Sequence, residues 1–223
     1  MGGLETMDVI IRDLDDKTAR DVTVLENLQR DELSPLEEAA GIRMLVDTGH
    51  SLEDISARIG KSVRWIKRRS QLTALIPAWV KRAEKMNLGP ALLELIARYD
   101  AEMQARLMED MNDWALSGPN AMEHVVNSIS RMVSELRLAP WKLSDSTLHP
   151  QAGSCDDCTK RSDRNPELFD DLPQTKGKPC AQCLDKACWL VKMNAHMARA
   201  VVELKHKHPN LVNISSRYSP TDG

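Results

Sequence analysis

The 223-residue sequence is poor in aromatic side chains and has no long apolar run. Phe, Trp and Tyr make up only 4% of its residues and β-branched runs are few, so we expect a helical core built from Leu, Ile, Met and Ala. No stretch approaches the roughly eighteen apolar residues of a membrane span, and Met1–Met7 lacks the basic and apolar regions of a signal peptide. The sequence therefore predicts a cytoplasmic protein with one or two modest domains.

The sequence also lacks the overall positive charge that marks many nucleic-acid-binding domains, since its net charge is −3. Its charges are nevertheless distributed unevenly. Residues 1–54 hold fourteen Asp and Glu against five Lys and Arg, whereas residues 58–69 hold six basic residues and no acidic one. This asymmetry predicts a basic docking surface on an otherwise acidic body.

Residues 51–73 have the pattern of two short helices joined by a tight turn. Leu52, Ile55 and Ile59 recur at helical spacing, Gly60 breaks the helix, and a second apolar stripe begins after Ser62. The pattern is typical of a helix-turn-helix, in which the second helix is the recognition helix.

Basic and polar side chains fill the second helix away from its apolar stripe. A solvated helix face is the ordinary interpretation of such a charge run, but its place in a helix pair predicts contacts to phosphates and base edges. Trp65 shares a stripe with Arg69 and Leu72, so packing against neighbouring helices is favoured over a base contact. The expected DNA-binding residues are Lys61, Ser62, Arg64, Lys67, Arg68 and Gln71.

The segment E-N-L-Q-R-D-E-L-S-P-L-E-E-A at residues 26–39, followed by this helix pair and by L-T-A-L-I-P-A-W-V at residues 72–80, resembles the ParB family of plasmid and chromosome partition proteins. The order of the motifs matches as well as their letters, over residues 9–133. The resemblance implies a DNA-binding helix-turn-helix that recognises a palindromic, centromere-like duplex. It also implies a homodimer and a ParA-type ATPase as partner.

The resemblance further implies a nucleotide site. Glu26 and Asn27 match family residues near the magnesium ion and triphosphate of CTP, and Arg30 either contacts phosphate or pairs with Asp31 or Glu32. The family's arginine-rich G-E-R-R motif lies upstream of the strand that residues 9–14 resemble, and Met1–Met7 cannot supply it. We therefore expect a shortened product or a lost nucleotide switch, and a chain that is not primarily an enzyme. No catalytic residue is assigned.

All five cysteines lie between residues 155 and 188, and in a reducing compartment such spacing favours a metal site over disulfides. Two C-x-x-C pairs, at 155–158 and 180–183, have the form of a structural zinc module. The segment also resembles cysteine-rich C-terminal regions of some ParB-like proteins, and this resemblance selects Cys155, Cys158, Cys183 and Cys188 as ligands, with Cys180 as a spare or alternative ligand. An iron–sulfur cluster and redox-active thiols are the alternatives.

The remaining pattern is helical. The sequence predicts a strand at residues 8–14, a helix at 17–28, and a capping box of Ser34 and Glu37 that opens a helix ending near Gly49. Further helices are expected at 87–96, 100–116, 120–136 and 187–207. On the last helix, the stripe Leu190, Met193, Met197, Ala200 and Leu204 could pair with a second copy or pack onto the cysteine module.

The predicted fold class is mainly α, with a helix-turn-helix domain, a small α/β remnant and a cysteine-rich zinc module followed by a helix. The domain ranges are an α/β remnant at 1–33, a helical DNA-binding domain at 34–138, a cysteine module with its helix at 139–208 and a tail at 209–223. We expect a partition protein that binds a specific duplex. The alternative is a transcriptional regulator or mobile-element accessory protein whose cysteines respond to metal or redox state.

Overall fold

The computed structural model describes residues 11, 13–30, 33–172, 174–175 and 178–210. It divides into two compact units, residues 1–125 and 126–223. Most of the strand predicted at residues 8–14 lies outside the described residues, and Asp13 and Leu14 are not in a strand.

The described chain is mainly α-helical, as predicted. None of its described helices is long and apolar enough to cross a membrane. The helices are α1 Asp16–Leu28, α2 Pro35–Asp47, α3 Leu52–Ile59, α4 Val63–Ser70, α5 Pro77–Met86, α6 Pro90–Ala97, α7 Ala101–Asp110, α8 Asp113–Leu116, α9 Ala121–Met132 and α10 Lys186–Lys207.

Side-chain caps fix where the first helices begin. Ser34 accepts a hydrogen bond from the Glu37 amide at 3.3 Å, and the Glu37 carboxylate accepts one from the Ser34 amide at 2.8 Å. This capping box, with Pro35 at the first helical position, confirms the predicted start of α2. Ser51 and Asp54 form a second box at the start of α3.

The core of the first unit joins α1 through α4. Its buried members come from all four helices: Leu25, Leu28, Ile42, Leu45, Ile55 and Ile66. Burying such a side chain stabilises the fold by about 1.5–3 kcal/mol. Because Ile66 is fully buried in this cluster, it fixes the orientation of α4 about its own axis.

In the second half of the first unit, Pro77 occupies the first position of α5, where its missing N–H costs nothing. The helix predicted at 100–116 is two helices, since α7 ends at Asp110 and Asn112 caps α8. Buried Gln104 ties this region together, donating to the carbonyls of Ala74 and Tyr99.

The second unit has short strands around the cysteine-rich segment. Strand β1, Ser134–Glu135, pairs antiparallel with β4, Gln182–Cys183, and β2, Gln174–Thr175, pairs with β3, Lys178–Pro179. Trp141 and Trp189 pack against each other in its core, with ring centroids 4.8 Å apart and ring planes tilted by 56°. The boundary between the two units falls within α9. The domain boundary predicted from the sequence lies further along the chain, at residues 138 and 139. Residues 134–136 belong to the second unit because they pack with the cysteine-rich segment.

The predicted apolar stripe of α10 is largely exposed within the described chain. Leu190, Met197 and Leu204 lie at the surface, whereas Met193 packs partly against the core of the second unit. The stripe that α10 does bury runs through Trp189 and Lys192.

Candidate nucleic-acid interface and cysteine cluster

Helices α3 and α4 are joined by a tight turn at the predicted position. Gly60 ends α3 in the left-handed region with φ 70°, a conformation that costs a residue with a side chain about 1–2 kcal/mol. The Ser56 hydroxyl donates to the Lys61 carbonyl at 2.6 Å across the turn. Ser62 then caps α4 by accepting from the Trp65 amide at 3.1 Å. These local bonds set the start of α4.

The six predicted DNA-binding residues differ in exposure. Lys61, Ser62 and Arg64 are exposed, and all three lie at the N-terminal end of α4. The other three are half-buried: Lys67, Arg68 and Gln71.

The N-terminal end of α4 is therefore exposed and its C-terminal end is half-buried, whereas the sequence indicated one exposed face along the helix. The Gln71 amide donates to the Ala97 carbonyl at 3.2 Å, which directs it towards α6. Arg68 lies close enough to Glu94 of α6 for its charge to oppose the rise that burial causes in the pKa of that carboxyl. The C-terminal end of α4 faces α6 because the chain continues from there into a 3₁₀ turn at residues 71–74, which packs on α2 and α6.

Arg69, the last residue of the basic run, is buried. Its Nε lies 3.0 Å from a Glu38 carboxylate oxygen, and its Nη1 lies 3.4 Å from Glu94. Burial raises the pKa of Glu94, and the Arg69 charge opposes that rise. The sequence analysis did not identify this ion cluster, although Arg69 stands three residues after buried Ile66 on the same helix face.

Trp65 packs within the protein. It contacts the core cluster of the first unit and is flanked by two cations, Lys61 at 5.7 Å and Arg69 at 5.0 Å from the ring centroid. The packing that its stripe indicated is therefore present.

The predicted nucleotide residues lie at the C-terminal end of α1. Glu26 and Arg30 are exposed and face each other at 3.5 Å, and Asn27 is half-buried. The next side chain, Gln29, donates to the Arg58 carbonyl at 3.0 Å and so joins the end of α1 to the end of α3. Arg30, though not the other two, also lines a polar cavity of about 470 Å³ beside the α3–α4 turn. Nucleotide binding stays a prediction.

In the second unit, the four cysteines predicted as ligands line one cavity of about 320 Å³, and Cys180 does not line it. Cys155 and Cys183 are buried, while Cys158 and Cys188 are half-buried. Burial raises the pKa of Cys183 to about 11 and also raises that of Cys188. Over the described residues, no three His, Cys, Asp or Glu side chains already meet at metal-ligating distance.

No family model matches the chain. It is 34% identical over 85 residues to the chromosome-partitioning protein Spo0J of Thermus thermophilus, covering 38% of this chain and 32% of that protein. It is 30% identical over 142 residues to the nucleoid occlusion protein of Listeria innocua, covering 61% of this chain and 50% of that protein. Over the matched segments, this chain is similar in sequence to chromosome-partitioning proteins of the ParB and Spo0J kind and to nucleoid occlusion proteins.

A solved structure, the C-terminally truncated chromosome-partitioning protein ParB of Caulobacter crescentus complexed to the centromeric parS site, is 26% identical in sequence. The similarity covers 56% of this chain and 65% of that one, with a TM-score of 0.47. The chain spans between about a third and a half of the length of the two curated ParB relatives above.

Proposed function

We propose that the chain is a sequence-specific DNA-binding protein that acts in plasmid, phage or chromosome partition by binding a centromere-like site. The observation that supports this most directly is the N-terminal end of α4, where Lys61, Ser62 and Arg64 are exposed in a ParB-related sequence. In helix-turn-helix proteins, the N-terminal residues of the recognition helix contact base edges.

The chemistry of this end suits DNA. Arg64 can form a bidentate contact to guanine, whereas Lys61 and the Ser62 hydroxyl suit phosphate oxygens. Arg58, at the end of α3, is also exposed. The rest of the chain carries enough acidic residues to bring the net charge to −3, so phosphate attraction is concentrated around the α3–α4 turn.

The first experiment selects a duplex from a randomised pool with the full chain and then measures its affinity by fluorescence anisotropy. Arg64→Met should weaken binding to the selected duplex by about 1–3 kcal/mol and relax the preference at one base pair. Lys61→Ala should weaken all duplexes and reduce the slope of log affinity against log salt by about 0.9. The proposal fails if neither variant changes binding.

Arg106→Met is the matched control. Arg106 is an exposed arginine on α7, paired with Glu102 one turn away, so its replacement removes the same charge outside α4. We expect its affinity and base preference to equal those of the unaltered chain.

A partition role and a regulatory role predict different consequences of losing the gene. Loss of a partition protein should raise the rate at which daughter cells lack the replicon that carries the selected site. Loss of a regulator should instead change transcripts beside that site and leave replicon retention intact. Measuring both in one deletion strain separates the two functions.

A homodimer and a ParA-type ATPase are the partners proposed with this function. A dimer predicts a selected site with two half-sites about 34 Å, or a multiple of that distance, apart. Sedimentation of the full chain on this duplex measures whether two copies bind.

A further inference from the structure

Four cysteines line the 320 Å³ cavity of the second unit, and thiolates are ligands that bind soft or borderline metal ions. We propose that this cavity binds one structural zinc ion through Cys155, Cys158, Cys183 and Cys188. Cys180 takes no part.

The backbone brings the four cysteines from two segments. Cys155 and Cys158 lie on one tight turn, closed by the Cys158 amide donating to the Cys155 carbonyl at 3.4 Å. Cys183 ends strand β4, and Cys188 lies in the first turn of α10. A turn and a helix start are rigid places from which pairs of thiolates can face one ion.

Contacts independent of the cysteine side chains hold the two segments together. The Leu184 amide donates to the Lys160 carbonyl at 3.1 Å, and the Lys160 ammonium donates to the Asp185 carboxylate at 2.8 Å. Asp185 also caps α10 by accepting from the Cys188 amide at 2.9 Å. The two pairs of cysteines are therefore held on one cavity before any ion binds.

Cys180 differs from the other four in its surroundings. It lies outside the cavity and interacts with Arg137, whose pKa is raised chiefly by Glu135 and to a smaller extent by Cys180. The proximity of Cys180 to Cys183 in sequence gives the second C-x-x-C pair its form, but the fold turns the Cys180 side chain to a different neighbour.

Lys192 supplies the cavity with a buried positive charge. It is 2% exposed, and its ammonium donates to the Gly153 carbonyl at 2.6 Å and to the Cys155 sulfur at 3.2 Å. Zinc with four thiolates carries a net charge of about −2, which is costly to bury alone. A donor beside one ligand sulfur offsets part of that charge and orients the ligand.

Binding requires the four sulfurs to meet at metal-ligating distance, whereas no three metal-ligating side chains of the described residues do so in this structure. The Cys183 thiol donates to the Asp185 carbonyl at 3.4 Å, and this bond must be given up. Each of the four thiols loses its proton to solvent as its sulfur bonds to Zn²⁺, so binding releases up to four protons and is favoured by rising pH.

The first test uses the full unaltered chain. Elemental analysis should find about one zinc per chain. Brief alkylation with N-ethylmaleimide followed by mass spectrometry should modify Cys180 alone in the zinc-loaded protein and, after chelation, the half-buried Cys158 and Cys188 as well. Iron in place of zinc, absence of metal, or an alkylation pattern that chelation does not change would overturn the proposal.

The second test separates the ligands from Cys180 and Lys192. Cys180→Ser should retain about one zinc per chain, whereas Cys158→Ser, at a half-buried ligand, should lose it. Lys192→Met should weaken zinc retention against a competing chelator by about 10–100-fold, and Lys205→Met, further along the same helix, should not. Equal zinc loss in Cys180→Ser and Cys158→Ser would refute the ligand set, and equal retention in the two lysine variants would refute the role of Lys192.

These tests do not involve DNA, so they can fail while the proposed DNA-binding function stands. If Cys158→Ser or Lys192→Met does not fold, the alkylation pattern of the unaltered chain still decides the ligand set.

Discussion

Arg64 and Arg69 lie five residues apart in the basic run and should respond to the same substitution in opposite ways. Arg64 is exposed at the start of α4, whereas Arg69 lies between two carboxylates near its end. Arg69→Met should destabilise the first unit. Arg64→Met should leave its stability unchanged within about 0.5 kcal/mol and weaken DNA binding.

The expected cost of Arg69→Met follows from burial. The Arg69 side chain is 8% exposed, and those of Glu38 and Glu94 are 19% and 17% exposed. Removing one partner of a buried ion pair costs about 3–5 kcal/mol, because the remaining charge stays buried without compensation. Since both carboxylates retain some contact with water, we expect a cost near the lower bound, about 3 kcal/mol.

The cost should depend on pH. Burial raises the pKa of Glu94 above its ordinary value of 4.5, and Arg69 holds that rise down. In the Met variant the pKa should rise further, so the folded state binds a proton more readily than the unfolded state does. The unfavourable contribution of Glu94 is then absent below the ordinary value and appears as pH rises through 4.5 and above. Arg69→Met should therefore be less damaging in mild acid than at neutral pH.

The assay is urea unfolding read by hydrogen–deuterium exchange on peptides that span α2 and α4, which reports on the first unit alone. A variant that also replaces Glu38 and Glu94 with apolar residues should recover much of the loss, because no uncompensated charge remains. The reasoning is refuted if Arg69→Met changes the unfolding midpoint no more than Arg64→Met does.

Two further predictions concern the turn between α3 and α4, and the hydrogen-bonded pair of Asp21 in α1 with His50 before α3. Gly60→Ala should cost about 1–2 kcal/mol by urea unfolding through backbone strain alone, since an added Cβ meets no atom within 4 Å; an unchanged midpoint would show that the turn relaxes. The hydrogen bond from His50 lowers the pKa of Asp21 below its ordinary 3.8, so Asp21 stabilises the fold above that pH and loses its contribution as pH falls below it. Asp21→Asn should be less stable at neutral pH and show a shallower loss in acid, which thermal unfolding across pH can measure.

The helix starts that the sequence predicted are those whose causes are local. Ser34, Pro35 and Glu37 define the start of α2 within four residues, and Gly60 defines the end of α3 by itself. The added break within 100–116 is also local, but it depends on Asn112, a weaker signal than Pro or Gly.

The exposure of side chains along α4 was predicted less accurately, because exposure depends on distant segments. Helical spacing alone places Arg68 and Gln71 on the face opposite Ile66. Their partial burial comes from α6, more than twenty residues further along the chain, through contacts such as Gln71 to Ala97. A helix periodicity describes which side chains share a face, but it does not reveal which faces a later helix will cover.

The cysteines also show the difference between features that local spacing predicts and features that depend on the path of the folded chain. The spacing of Cys155 and Cys158 indicates a ligand pair by itself, because a single turn presents both. The choice between Cys180 and Cys188 could not come from spacing, since Cys180 belongs to the second C-x-x-C pair. It depends on the path of β4 into α10, which directs Cys183 and Cys188 to the cavity and leaves Cys180 beside Arg137.

The positive side chains along α4 serve two purposes: one stabilises the fold, and the others are exposed for the proposed DNA contact. If all the positive side chains of a helix were exposed, only the packing of its apolar face would hold the helix in the fold. That packing alone would then keep the helix in place when DNA binds. Here one of those charges, Arg69, is neutralised internally by Glu38 of α2 and Glu94 of α6, so it anchors the end of the helix that does not face solvent. The charges that remain exposed, Lys61 and Arg64, lie at the other end, beside a turn that Gly60 and Ser62 hold in one geometry. The anchoring charge is thus separated from the docking charges by about one and a half to two turns of helix. This separation lets α4 present a basic end to phosphates without lowering the stability of the core that orients it.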